Sequence, residues 1–414
     1  MSVSKYYVKR LQDQPLVSDG HNTNGPSVIK VPLWIGINQR PFVIKNGKKV
    51  TANYYLYYSN HNGKFIHMAW SHRIDSGWWH KFNRPDLGLN VPETPGRGVL
   101  DLANGSQRIY LNSLRSIYLG KPDGRQGHIA SPDVHVDHQY RRIVMYFHGN
   151  GSGVAFRQNS KGKRIPYPAN QNTYVATSVD GLNFNQPGLG GQVNHGILPI
   201  CVGRAYLRVF DYRDRTYGLS RSALINFAPQ NPLSLPDPDF SAESTWTAGG
   251  IQEKTPLAQY VREYYLPKIN DYRLKLNQPN FKQVDLEGQV FPRHVAVRKL
   301  SDDHALEVFF SVKFKKGGNF EQWRPPNDSE RILRTTYDLS CEPWQPKSDT
   351  NGQIEIEEIL NAEQSWEING LCDPYVFVDT DQRIYLFYAG GSIQSEGAIG
   401  MVELEDKSTI QNDV

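Results

Sequence analysis

Short runs rich in Val, Ile, Tyr and Phe recur along the chain, each broken by a polar turn. Their spacing predicts a repeated β unit: an apolar strand after a small or acidic turn, a hairpin turn, then an aromatic strand. The first copy opens with NGPSVIKVPLW (Asn24 to Trp34) and continues through ANYYLYYSNHNGKFIHMAWS (Ala52 to Ser71), where an Asn-Gly turn joins two strands. The second is SPDVHVDHQYRRIVMYFHG (Ser131 to Gly149) with TYVATSVDGLNFNQ (Thr173 to Gln186), and the third is GRAYLRVFDYRDRTYGLSRS (Gly203 to Ser222). The fourth is FPRHVAVRKLSDDHALEVFFSV (Phe291 to Val312) with ERILRTTYDL (Glu330 to Leu339). The fifth is DPYVFVDTDQRIYLFYAGG (Asp373 to Gly391), closing with AIGMVELE (Ala398 to Glu405).

Five such units predict an all-β chain, a five-bladed β-propeller with blades near 21–84, 128–190, 200–228, 288–345 and 368–408. A length of 414 residues would otherwise suggest two domains, but a repeat absorbs it into a single domain, 1–414. Each unit then spans about 83 residues, more than common propeller repeats of roughly 40 to 50, so long insertions are required. They fall at 85–127, rich in Gly, Pro and Asn, and at 226–288, where TPLAQYVREYYLPKI alone has helical spacing of apolar residues. The other packing of short strands, two β-sandwiches, fits less well because distant copies share a motif: VDHQYRRIVMYFHG and VDTDQRIYLFYAGG run in the same order of strand, acidic turn, basic residue and aromatic strand.

Composition narrows the function. With 46 Lys and Arg spread among 42 Asp and Glu, there is no basic patch to hold nucleic acid. The three cysteines Cys201, Cys341 and Cys372 are far apart, which argues against a disulfide framework and against zinc. The opening MSVSKYYVKRLQDQPLVSDG has no apolar core of signal-peptide length, and no stretch approaches a membrane span, so a soluble, cytoplasmic chain with no membrane partner is expected. No cofactor motif is present; a structural calcium ion on the propeller axis is compatible with the pattern.

The repeats resemble those of the five-bladed propeller glycoside hydrolases, the family-43 arabinanases and β-xylosidases together with levansucrases and invertases. SPDVHVDHQYRRIVMYFHG is similar to their second-blade strand and hairpin, SVDGLNF to their recurrent S-x-D-G-x-x-F strand, and DPYVFVDTDQRIYLFYAGG to their DP-x-x-F blade. The resemblance implies an active site in a funnel where the innermost strands begin. There, an Asp of the first blade acts as base or nucleophile, an Asp of the third tunes the donor, and a Glu of a later blade protonates the leaving oxygen.

The chain departs from that pattern where the acids should stand. Asn24 and Gly25 occupy the first-blade position, and Arg204, Tyr206, Arg208, Arg293 and His294 occupy the third and fourth. The acids left at strand starts are Asp133 and Asp373, with Glu396 on a glycine-bounded turn and Asp19 entering the first blade. Asp133, Glu396 and Asp373 are therefore the candidate catalytic carboxyls. A carboxylate beside arginines stays ionised and suits a base, which leaves Glu396 for the proton donor. Either Asp could instead cap a turn.

Asn24, His128, His135, Arg204, Tyr206, Arg208, Arg293, His294 and Trp323 are the candidate substrate-binding residues. Most aromatics must pack between blades, but Trp78, Trp79 and Trp323 stand at loops where a sugar could stack, while Arg298 should face another element. The resulting expectation is a glycoside hydrolase for an oligo- or polysaccharide, anionic because arginine grips such groups bidentately. Two other readings stand beside it: a glycan-binding propeller that has lost its acids, and a uronate lyase using His128 or His294 as base and Tyr206 as donor.

Overall fold

The computed structural model describes residues 5–18, 23–60, 65–82, 98–101, 108–118, 129–150, 154–158, 164–168, 171–184, 196–226, 257–300, 304–314, 330–340, 344–391 and 397–410. Positions 78, 113–114, 205, 214, 221–223, 288, 350, 353 and 368–369 lie outside the description. Strands dominate, and one long helix, Leu257–Lys275, occupies the segment whose spacing predicts it, with Val261, Tyr265 and Ile269 buried along one face. Among the described residues no helix is long and apolar enough to cross a membrane.

The chain packs as two compact units. One comprises residues 25–218 and 225–252; the other comprises 1–24, 219–224 and 253–414. The first of these holds two antiparallel sheets of blade form. Thr23–Lys30, Tyr54–Asn60, Phe65–Ser71 and His80–Phe82 make one, and Ile129–Asp137, Arg142–Asn150, Gln171–Ser178 and Gly196–Arg204 make the other. The other unit also holds two: Val290–Lys299, Ala305–Phe314 and Arg331–Asp338 with short outer strands, and Leu371–Val378, Ile384–Gly390 and Ala398–Asp406 completed by the N-terminal strand Tyr6–Arg10.

Among the described residues there are thus four propeller-type blades, not the five expected. The third repeat is where the count fails. Gly203 and Arg204 end the fourth strand of the second sheet, paired with Thr173 and Asn172, and only Arg208–Tyr212, Arg215–Leu219 and Leu224–Asn226 remain to make a three-stranded sheet. A strand-rich motif fixes hairpins, but which sheet claims its first residues is decided by long-range pairing.

Packing explains why the middle strands read as unbroken apolar runs rather than alternating ones. Tyr54 to Ser59 is buried residue after residue, because a blade is covered on both faces. Tyr55, Tyr57, Met68, Trp70, Met145, Phe147, Tyr174 and Phe184 share one core, and Tyr6, Phe309, Leu371, Leu386, Tyr388 and Val402 share another in the other unit. Each such side chain contributes about 1.5–3 kcal/mol on burial. Trp79, a candidate sugar contact by sequence, is only 1% exposed and belongs to this packing.

One local feature recurs at the sheet openings. The first strands Ile129–Asp137, Val290–Lys299 and Leu371–Val378 each slip by one residue against their neighbour, between Ala130 and Asp133, Pro292 and Val295, and Cys372 and Tyr375. Aligning the slips superposes Ser131, Arg293 and Asp373, the extra residues of three β-bulges. Ser131 and Asp373 are both left-handed, with φ of 47° and 49°, and both precede proline, as does Gly25 with φ of 63°. These bulges break the alternation of the strand just where the titratable residues stand.

Candidate functional site

In the unit built on residues 25–218, the bulge of Ile129–Asp137 aims Asp133 into a buried polar nest. Its carboxylate accepts from the Val209 amide at 2.8 Å, lies 2.9 Å from His135 Nε2 and 3.5 Å from an Arg208 nitrogen. Arg208 also donates to the Pro132 carbonyl at 2.7 Å. Burial pushes the Asp133 carboxyl up, but the charge and hydrogen bond of His135, the Arg208 guanidinium and the Val209 amide outweigh it and hold the group below its ordinary value. For His135, burial disfavours the cation, and Asp133 overrides this to raise the ring above its ordinary value. Tyr206, left-handed at φ 63°, sets its ring 4.4 Å from that of His148.

In the other unit the bulges of Val290–Lys299 and Leu371–Val378 bring a second set together. His294 Nδ1 lies 3.1 Å from an Asp373 carboxylate oxygen and accepts from the Asp373 amide at 3.4 Å. The Cys372 thiol donates to the other Asp373 oxygen over 3.5 Å. Arg293 donates to Glu330 Oε1 at 2.6 Å, and Lys313 reaches the same oxygen at 4.0 Å. Glu330 is anchored at the opening of Arg331–Asp338: its carbonyl accepts from the Leu371 amide, and it forms a bridge with Gly370. Burial raises the Glu330 carboxyl above its ordinary value against the opposing pull of Arg293. Burial likewise drives the Cys372 thiol up, helped by Asp373 and Glu330.

The predicted residues therefore divide into two groups. Asp133, His135 and Arg208 meet in one unit, and Arg293, His294 and Asp373 meet in the other. Asn24 is buried in the strand Thr23–Lys30. Arg204 ends a strand, with its side chain outside the description, and Glu396, His128, Trp323, Trp78 and Asp19 lie outside the described residues. Arg298 does face another element, donating to Glu307 and to the Tyr6 hydroxyl.

Sequence reasoning missed Glu330 and Cys372. The signal for Cys372 was its place directly before the Asp-Pro step. For Glu330 it was its place at the very start of the run ERILRTTYDL. Both acquire meaning only through a partner strand distant in sequence.

No family model matches the chain. Over 197 residues it is 27% identical to the uncharacterized protein R118 of Acanthamoeba polyphaga mimivirus, a match spanning 46% of this chain and 39% of that protein. Solved structures of similar arrangement include a thermostable family-43 glycoside hydrolase, 12% identical with 94% of this chain and 91% of that one covered, at a TM-score of 0.46. A GH43_1 enzyme from Xanthomonas citri is 11% identical over 97% and 91%, at a TM-score of 0.44. An N-acetylgalactosamine deacetylase from F. plautii, solved with blood group B trisaccharide, is 11% identical over 97% and 95%, at a TM-score of 0.47. These are likenesses of fold.

Proposed function

We propose that the chain is a carbohydrate-active enzyme on a β-propeller scaffold, a glycoside hydrolase that acts on an anionic oligo- or polysaccharide by carboxyl acid/base chemistry. The observation that carries this reading is the gathering of Glu330, Asp373, Arg293 and His294 where two neighbouring sheet openings bulge. Glycoside cleavage needs two carboxyls of unlike environment, one kept protonated and one kept charged. Glu330, half-buried, has its carboxyl raised by burial against the pull of Arg293 and so suits the protonated role in place of Glu396, and Asp373 supplies the second carboxyl. Arg293 spends one donor on Glu330 and has others for a substrate anion.

The test is turnover of a panel of neutral and anionic aryl glycosides and oligosaccharides by the full chain. Glu330→Gln should lower kcat by roughly 10²–10⁴ on the substrate that responds, the usual worth of a general acid, while leaving KM within a few-fold. Indifference to the whole panel would sink the hydrolase reading. Saturable binding of a glycan without turnover would instead establish the binding-protein reading, which is favoured by the burial of Asp133 and Asp373 among protein partners. An ultraviolet-absorbing unsaturated product would mark a lyase.

A further inference from the structure

We infer that His294, Cys372 and Asp373 form a binding site for a divalent transition-metal ion of the zinc class. One ring nitrogen, one thiol sulfur and one carboxylate oxygen lie within 4.8 Å of one another, with His294 and Asp373 buried and Cys372 half-buried. The inference rests on the reading above only for the ion's place beside Glu330; metal binding itself does not depend on the substrate.

Three observations support the site. The first is spacing. A tetrahedral zinc with bonds near 2.0–2.3 Å sets its nitrogen, oxygen and sulfur ligands about 3.3–3.6 Å apart. The His294 nitrogen is 3.1 Å from one Asp373 oxygen and the Cys372 sulfur 3.5 Å from the other, and one donor atom from each residue lies within 4.8 Å of the other two, so closing on an ion asks for shifts of about 1 Å rather than a rearrangement. The second is polarity. His294 Nδ1 lies 3.4 Å from the Asp373 amide and 3.1 Å from an Asp373 carboxylate oxygen, so the buried nitrogen and oxygen share a proton in the metal-free chain, the proton that an incoming cation would displace. The third is Glu330, whose Oε2 is buried with no hydrogen-bond partner among the described residues while Oε1 is held by Arg293. That buried oxygen sits on the residue whose backbone bridges Gly370 and accepts from the Leu371 amide, directly before Cys372 in the chain.

The donor set also selects the ion. Calcium takes six to eight oxygens, which a nitrogen, a sulfur and a carboxylate do not supply, so this trio does not fit the axial calcium considered from sequence. Thiolate with imidazole favours zinc, or cobalt in its place, and three protein ligands leave a position open. Both ligand strands bulge here, and without those slips Cys372 and Asp373 would point to opposite faces.

The experiment uses the full chain stripped by chelator and titrated with Zn²⁺ against a chromophoric chelator, then with Co²⁺ followed by absorption. One equivalent should bind, and cobalt should show sulfur-to-metal charge transfer that vanishes in Cys372→Ser and persists in Cys201→Ser and Cys341→Ser. His294→Ala should weaken Zn²⁺ at least about 100-fold, as loss of a direct ligand exceeds the 10–100-fold typical of outer-shell changes. Circular dichroism identifies any variant that fails to fold, and for such a variant His294→Gln replaces it. Absence of stoichiometric binding, or a charge-transfer band that survives Cys372→Ser, overturns the inference. Hydrolysis by a chain that binds no metal would refute the metal site and leave the hydrolase reading standing; metal binding with no turnover would do the reverse.

Discussion

Replacing Gly25 tests why the first sheet carries no acid at the position where the resemblance leads one to expect it. Gly25 has φ of 63°, and a Cβ built there would stand 2.8 Å from Ser131 Cα, 3.3 Å from Ser131 N and 3.4 Å from its Oγ. Ser131 has little room to retreat: it is left-handed, its amide donates to Ser59 Oγ at 3.2 Å, and Ser27 Oγ, two residues after Gly25, accepts from the Val134 amide. A left-handed non-glycine residue costs about 1–2 kcal/mol, and forced overpacking adds about 1–3 kcal/mol. Gly25→Ala should therefore destabilise the chain by about 2–5 kcal/mol. Gly47, with φ of 71° and nothing within 4 Å of its virtual Cβ, isolates the conformational part, so Gly47→Ala should cost only about 1–2 kcal/mol. Urea unfolding midpoints of the two variants, at matched m-values, give the difference directly. Equal losses would refute the steric argument. Gly25→Asp should lose stability and gain no hydrolytic activity, since the backbone approach of the two opening strands excludes any side chain there.

Other consequences concern the buried charges. Asp133→Ala strands Arg208 and His135 without their carboxylate and should cost about 3–5 kcal/mol by chemical denaturation; a loss below about 1 kcal/mol would show that the nest contributes nothing net. Because His135 is raised in the folded state, its contribution is complete below its ordinary value of 6.5 and fades as pH rises through the folded value. Unfolding midpoints at pH 6 and pH 8 should therefore diverge in the parent and converge in His135→Gln. Glu307, fully buried, accepts from Tyr6, Arg298, Arg334 and Lys5 and is held down to about 2 by those cations against the cost of burial. Its contribution is present above the ordinary value of 4.5 and lost as pH falls through about 2, so Glu307→Gln should flatten the acid limb of a stability profile while costing about 3–5 kcal/mol at neutral pH.

The hydrophobic pattern by itself determined the strand content, the hairpins and the one long helix, because side-chain period and turn chemistry are local properties. It also marked Asp133 and Asp373 as special, through their Pro steps at the opening of apolar strands. The number of blades was not local. The third repeat gave up its opening residues to the second sheet, because Gly203 and Arg204 pair with Thr173 and Asn172 and leave a three-stranded remainder. The tertiary structure alone decided the chemistry of the sites. His294 meets Asp373, and Cys372 beside it, across 79 residues of chain to the Asp, and Arg293 meets Glu330 across 37, through bulges that a sequence period cannot announce. An isolated cysteine argues against a metal when only spacing along the chain is counted. Two strands slipping by one residue each place it beside a histidine and a carboxylate, and the distances that matter for ligation are set there.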